Sequence, residues 1–205
     1  NRFIVNKKFY DRNNVSISFV AKGEFNDNSK EFMSTVFVDK NDNLDTIREK
    51  ITKKVNKTRS NSNGSTDSAI DFVGKLPKFL KDILMWFFMQ LDKYDLLPKS
   101  FIEDNIYYST ILVSNLGSID CKAIYHNLTN FGTNGIVVTI GDIHKEQIIN
   151  KEGKPEIRDI CEFGINLDER IADGFYFIKS IKLLEEIFNN PKLLEDNVDT
   201  KIVKN

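Results

Sequence analysis

From Ile157 onward the odd positions Cys161, Phe163, Ile165 and Leu167 are apolar while Glu162, Asn166 and Asp168 are polar. The alternation stops at Asp173-Gly174, where Phe177, Ile181, Leu184 and Phe188 take over at helical spacing. A period of two giving way to one near 3.6 requires a strand buried on one side, a tight corner, and a helix buried along one stripe. Pro191 then ends that helix. Both elements have to hide an apolar face in the same core, which points to a layered α/β domain. Cys161 reads as part of that core.

The rest of the chain supplies the other layers. Arg2 to Tyr10 predicts a hairpin, with Phe3-Ile4-Val5 and Phe9-Tyr10 joined through Asn6-Lys7-Lys8. Val15, Ile17 and Phe19 alternate with Ser16 and Ser18, so a strand with its apolar side inward is expected, and a second strand over Phe32 to Val38. Leu44, Ile47, Ile51 and Val55 recur at helical spacing, with Lys50, Lys53, Lys54 and Lys57 on a solvated opposite face. Residues 60–68, opening Ser60-Asn61-Ser62-Asn63-Gly64, have the composition of a mobile surface loop. Leu76 to Leu97 predicts an apolar helix started by Pro77 and stopped by Pro98. Its Phe79, Ile83, Trp86, Phe87 and Leu91 are expected to face a core or a subunit contact, with a ligand cleft as the alternative. Strands follow at Tyr108 to Val113 and Gly135 to Ile140. A connection from Asp142 to Glu156 turns at Asn150-Lys151-Glu152-Gly153, and a polar tail covers 195–205.

Composition excludes several classes. Lysine and arginine number 29 against 30 acidic residues, so no net field draws the chain to nucleic acid or to an anionic membrane. The longest apolar run, Ile83 to Met89, is far shorter than the roughly 20 residues a spanning helix needs. Cys121 and Cys161 form neither a CxxC pair nor a disulfide framework, which suits a cytoplasmic location. No His, Cys or acidic cluster has metal-ligand spacing. One domain is expected over residues 1–194, and because the chain opens on Asn1 and strand-like sequence, an N-terminal part of that domain is expected to lie upstream.

The corner itself reads Asp168-Glu169-Arg170-Ile171-Ala172-Asp173-Gly174. It resembles the D-H-R-x-x-D-G signature of dihydrolipoyl acyltransferases, the catalytic cores of 2-oxoacid dehydrogenase complexes, and the related signature of chloramphenicol acetyltransferase. Val113-Ser114-Asn115-Leu116-Gly117 is similar to the I-S-N-L-G segment that precedes the signature in those enzymes. Phe131-Gly132-Thr133-Asn134-Gly135 and Val137 to Gly141 resemble the next strand. The resemblance implies a two-layer, chloramphenicol acetyltransferase-like sandwich on a mixed sheet. It also implies homotrimers whose active sites lie between subunits, and coenzyme A as acyl-CoA substrate with a small-molecule or thiol acceptor. In that setting the lysine face of the first helix has contact with the CoA phosphate as its alternative to simple solvation.

By the same resemblance Ser114 is the hydroxyl that stabilises the oxyanion, Asp173 anchors the corner through an arginine pair, and Arg170 and Gly174 shape the turn. Glu169 stands where the family carries its catalytic histidine. A thiol titrates near ~8.5, histidine near ~6.5 and glutamate near ~4.3, so an unperturbed Glu169 is about two units, roughly 3 kcal/mol, poorer as a base. Burial at a subunit boundary would raise it again. The two histidines of the sequence are His126, the candidate substitute base, and His144, read as solvated. Two functions follow: an acyl-CoA-dependent acyltransferase using Glu169, or an inactive trimeric homologue that binds or scaffolds.

Overall fold

The structure, a computed structural model, describes residues 1–22, 31–60, 74–103 and 105–195. Strands β1 (Arg2–Val5) and β2 (Lys8–Asp11) form a hairpin closed by Asn6 (φ 47°) and Lys7 (φ 63°), two successive left-handed residues of the kind a two-residue hairpin turn needs. β3 (Val15–Lys22) and β4 (Glu31–Val38) follow, then helix α1 (Leu44–Ser60), helix α2 (Lys78–Lys93) and the short helix α3 (Lys99–Glu103). β5 (Ile111–Asn115), β6 (Ile136–Ile149), β7 (Pro155–Leu167) and helix α4 (Gly174–Asn189) complete the chain, before a last 3-10 turn at Pro191–Leu194.

The main sheet has the order β4-β3-β5-β6-β7. β3 is antiparallel to β4 and parallel to β5; β5 is parallel to β6, and β6 antiparallel to β7. This is the mixed sheet of an α/β fold. Directly paired residues share a face, so Phe19, Val113, Val138 and Ile165 form one row while Thr35, Ser18, Leu112, Val137 and Asn166 form a row on the opposite face. The first face receives α4, whose Phe188 meets Phe163 at 5.6 Å and whose Phe177 is buried. The α1 helix runs beside β4 and is started by a reciprocal cap: Thr46 N donates to Asn43 Oδ1 at 3.0 Å and Asn43 N to Thr46 Oγ1 at 2.9 Å. Lys50, on its predicted solvated side, is instead clamped to Asp39 at 2.6 Å and Asp42 at 2.5 Å.

Several expectations are corrected. On β3 the buried residues are Ser16 and Ser18, not Val15, Ile17 and Phe19. Each hydroxyl has a partner, Ser18 Oγ bonding with Thr35 Oγ1 at 2.7 Å and Ser16 Oγ accepting from Thr110 N at 3.1 Å, so neither serine is buried unmatched. Of the apolar side chains of α2, none is buried. The connection expected at 142–156 is strand almost throughout, because β6 and β7 continue past the sheet as a two-stranded ribbon with an irregularity between Ile140 and Ile143. Cys161, expected in the core, is half-buried on that ribbon. The helix expected over Leu76 to Leu97 runs over Lys78–Lys93 and ends before Pro98, after which the separate short helix α3 begins. Most of the expected loop at 60–68 and of the tail lies outside the described residues. Among the described residues no helix is long and apolar enough to cross a membrane.

Candidate functional site

Ser114 sits near the end of β5, the middle strand, half-buried and opposite Thr139. Its hydroxyl has no hydrogen-bond partner among the described residues, whereas the nearby Ser118 spends its own on Asn115 O at 2.8 Å. The chain turns directly after it through Leu116–Ile119, packed so tightly on β6 that a Cβ on Gly117 would stand 2.5 Å from Gly141 O. That contact explains the glycine of the Ser-Asn-Leu-Gly segment.

Beyond the turn, residues 121–130 cross the sheet face that carries Ser114. Three ties hold this strap. A Cβ on Gly141 would stand 2.6 Å from Ala123 N, so glycine lets the strap seat. Thr139 Oγ1 donates to Ile124 O at 2.5 Å. His126 N donates to Asn166 Oδ1 at 3.0 Å. The last tie puts His126 over the end of β7, two residues before the signature corner, with its side chain exposed. These ties were not foreseen from sequence, although Gly117, Gly141 and Gly164 mark them.

At the corner, Asp168 N donates to Gly135 O at 2.9 Å and fixes the exit from β7. Arg170 donates to Asp168 through Nε at 2.8 Å and Nη2 at 2.7 Å, a bidentate pair that holds the Asp168 carboxyl below the usual carboxylate range. The arginine pair expected on Asp173 is therefore made by Asp168. Asp173 instead caps α4, its Oδ1 accepting from Tyr176 N at 2.9 Å. Gly174 is corrected too: it has no positive φ, and nothing lies within 4 Å of a Cβ built there, so the protomer does not require glycine. Glu169 is exposed, and no hydrogen bond or ion pair engages it among the described residues.

Ser114 and Glu169 are not brought together within one protomer. Ser114 is level with Thr139 and Gly164, and Glu169 follows Gly164 by five residues toward the other end of β5, on the order of 15 Å along the strand. A polar cleft of about 200 Å³ does border the corner, between the β1–β2 hairpin, Lys93 of α2, Asn134, Asp168 and Arg170, and it includes neither Ser114 nor Glu169. His144 is not solvated as expected: it lies in β6, with Nδ1 3.5 Å from Asp142 and Nε2 3.8 Å from Glu146. No group of three His, Cys, Asp or Glu side chains suited to a metal occurs among the described residues.

Solved structures of the same fold exist. A probable dihydrolipoamide acetyltransferase from Listeria monocytogenes has a TM-score of 0.55 at 15% identity, covering 99% of this chain and 64% of its own. The cubic core of the pyruvate dehydrogenase multienzyme complex has a TM-score of 0.60 at 11% identity, covering 95% and 62%. Azotobacter vinelandii dihydrolipoamide acetyltransferase, solved to examine a serine, a histidine and an asparagine in its catalytic mechanism, has 0.60 at 12%, covering 95% and 62%. The present chain thus spans less than two thirds of each. No curated protein matches in sequence. The fold is the one that these solved structures share. Residues 99–195, a stretch that holds Ser114 and the Asp168–Gly174 corner, match the model of the 2-oxoacid dehydrogenases acyltransferase (catalytic domain) family.

Proposed function

We propose that the chain moves an acyl group between coenzyme A and a small thiol or other small acceptor, in a channel formed where protomers of a trimer meet. The observation that carries this reading is the placement of an unengaged Ser114 hydroxyl and an unengaged Glu169 carboxylate at opposite ends of β5. One copy cannot pair them, whereas the boundary between two copies can. The order of the motifs and the family match over residues 99–195 support the assignment. The Azotobacter enzyme offers a parallel, because its histidine and asparagine of interest stand four positions apart, as Glu169 and Asp173 do here.

In this mechanism the Glu169 carboxylate takes the proton of the attacking thiol. The thiolate adds to the thioester carbonyl, and the oxyanion accepts a hydrogen bond from Ser114 of the neighbouring copy. Collapse expels the other sulfur as thiolate, which regains the proton from Glu169, so no charge or proton is left over.

A second reading is favoured by the exposure of Glu169 and its lack of any partner: an inactive homologue that keeps the assembly and binds without turnover. Acyl-CoA hydrolysis and thiol transfer by the parent, Glu169→His and Ser114→Ala decide between them. Parent activity lost in Ser114→Ala supports the enzyme. A silent parent with activity appearing in Glu169→His supports the inactive homologue, and absence of CoA binding in all three removes both.

A further inference from the structure

The α2 helix turns its apolar residues away from the body of the protein. Phe79, Ile83, Trp86 and Phe87 are 52–63% exposed. The opposite side makes the contacts: Phe88 stacks on Phe101 at 5.6 Å, and Asp92 accepts from the Tyr108 phenol. Phe79, Ile83 and Trp86 fall at i, i+4 and i+7, so they form one continuous outward line. Asp82 and Lys93, both exposed, flank that line on the same side. Their separation of eleven residues is about three turns, a net rotation of only about 20°.

This charge pattern is complementary to itself. We infer that α2 pairs with α2 of a second copy, antiparallel, about a two-fold axis passing level with Phe87 and Phe88. That register sets Asp82 against the partner's Lys93 and Lys93 against the partner's Asp82. It also sets Trp86 against the partner's Met89, and Phe79 against the partner's Leu96, which is 65% exposed just beyond the helix. An isologous contact requires this reciprocity, in which each member of a pair meets the other twice. A lipid surface fits less well, since Asp82 and Gln90 would enter it beside the apolar line. The helix is about 24 Å long, so the contact falls at the small end of specific interfaces, near or below about 1,200 Å², and the association is reversible.

Sedimentation velocity of the full chain over a concentration series at low salt tests it. Trp86→Glu is expected to halve the mass of the largest species. Asp82→Lys and Lys93→Asp are each expected to weaken the doubling by about tenfold, through loss of two ion pairs and the gain of two repulsions. Both changes in one chain recreate the pairing with signs exchanged and restore the parent behaviour. All these positions are exposed, so an unchanged thermal midpoint confirms that folding is unaffected. The inference is overturned if Trp86→Glu sediments as the parent does, or if the double variant fails to restore doubling. It is also overturned if the parent never doubles but co-sediments with phosphatidylcholine–phosphatidylserine vesicles through Trp86.

Discussion

The Tyr108 phenol donates to Asp92 Oδ1 at 2.5 Å, and this bond fastens α2 to the segment that leads into β5. The second carboxylate oxygen of Asp92 accepts from Gly132 N at 3.4 Å, so one side chain ties the helix to two loops. Burial and the adjacent carboxylate push the Tyr108 pKa far above that of a free phenol, and it remains a donor at every usable pH. Asp92→Ala leaves the buried phenol without its acceptor and is expected to lower stability by about 1–3 kcal/mol, with Tyr108→Phe costing less. Urea unfolding midpoints measure both. Amide exchange in α2 should quicken in Asp92→Ala before the sheet is affected.

Glycine substitutions separate what the protomer needs from what an assembly would need. A Cβ at Gly164 would collide with Ile124 O and Thr139 Oγ1, both fixed by the strap. Gly164→Ala is therefore expected to cost about 2 kcal/mol or more and to loosen residues 121–126. Gly174→Ala meets open space at a helical position and should be neutral or stabilising by up to about 1 kcal/mol. If thermal unfolding of dilute protein follows this order while Gly174→Ala lowers the oligomer mass, the glycine of the signature serves an interface.

Hairpin, strands β3 to β5, the parts of β6 and β7 within the sheet and the closing helix are legible in the sequence because each carries a clear period and turn residues that agree with it. The ribbon that extends β6 and β7 over 142–156 is not. What the pattern misreads, it misreads for physical reasons. Alternation at Val15 to Phe19 does not say which face is buried when the polar residues are serines able to bond to Thr35 and Thr110. The apolar stripe of α2 signals burial, but not whether the covering surface is this chain's own core. At the corner the motif located Asp168 to Gly174, yet the partner of each carboxylate depends on side-chain geometry. Arg170 reaches Asp168, two residues away, and leaves Asp173 to cap α4.

Arg12 holds the hairpin to the sheet. Its guanidinium donates to Tyr108 O at 2.7 Å, to Thr133 O, and to Thr133 Oγ1 at 3.0 Å, and it lies 4.7 Å from the centre of the Phe3 ring. Burial lowers its pKa to about 10, which leaves it charged at neutral pH. Lysine has a single nitrogen and no planar fork, so it cannot reach both carbonyls and also stack on Phe3. Arg12→Lys is expected to cost about 1–3 kcal/mol, close to the effect of Arg12→Met. Equal stability of parent and Arg12→Lys in urea would show that charge alone matters.

Acid should loosen the signature corner in a defined window. Hydrogen bonds from Arg170 hold the Asp168 carboxyl below its ordinary pKa, against an opposing effect of burial. A group whose folded pKa is depressed contributes stability that is complete above its unfolded value, near ~3.9, and disappears as pH falls through the lower folded one. Arg170 is shifted upward, so its own loss would occur only in strong alkali and does not enter. Because Arg170 is largely exposed, the contribution at pH 7 is expected to be at most about 1 kcal/mol. Asp168→Asn should accordingly be less stable than the parent at pH 7 and converge with it by pH ~2. Urea midpoints of the two proteins at several pH values give the comparison. A gap that stays constant through the acid range would mean that Asp168 acts by its neutral hydrogen bonds to the turn, such as the one Arg170 N donates to Oδ1 at 3.1 Å, and not by its charge.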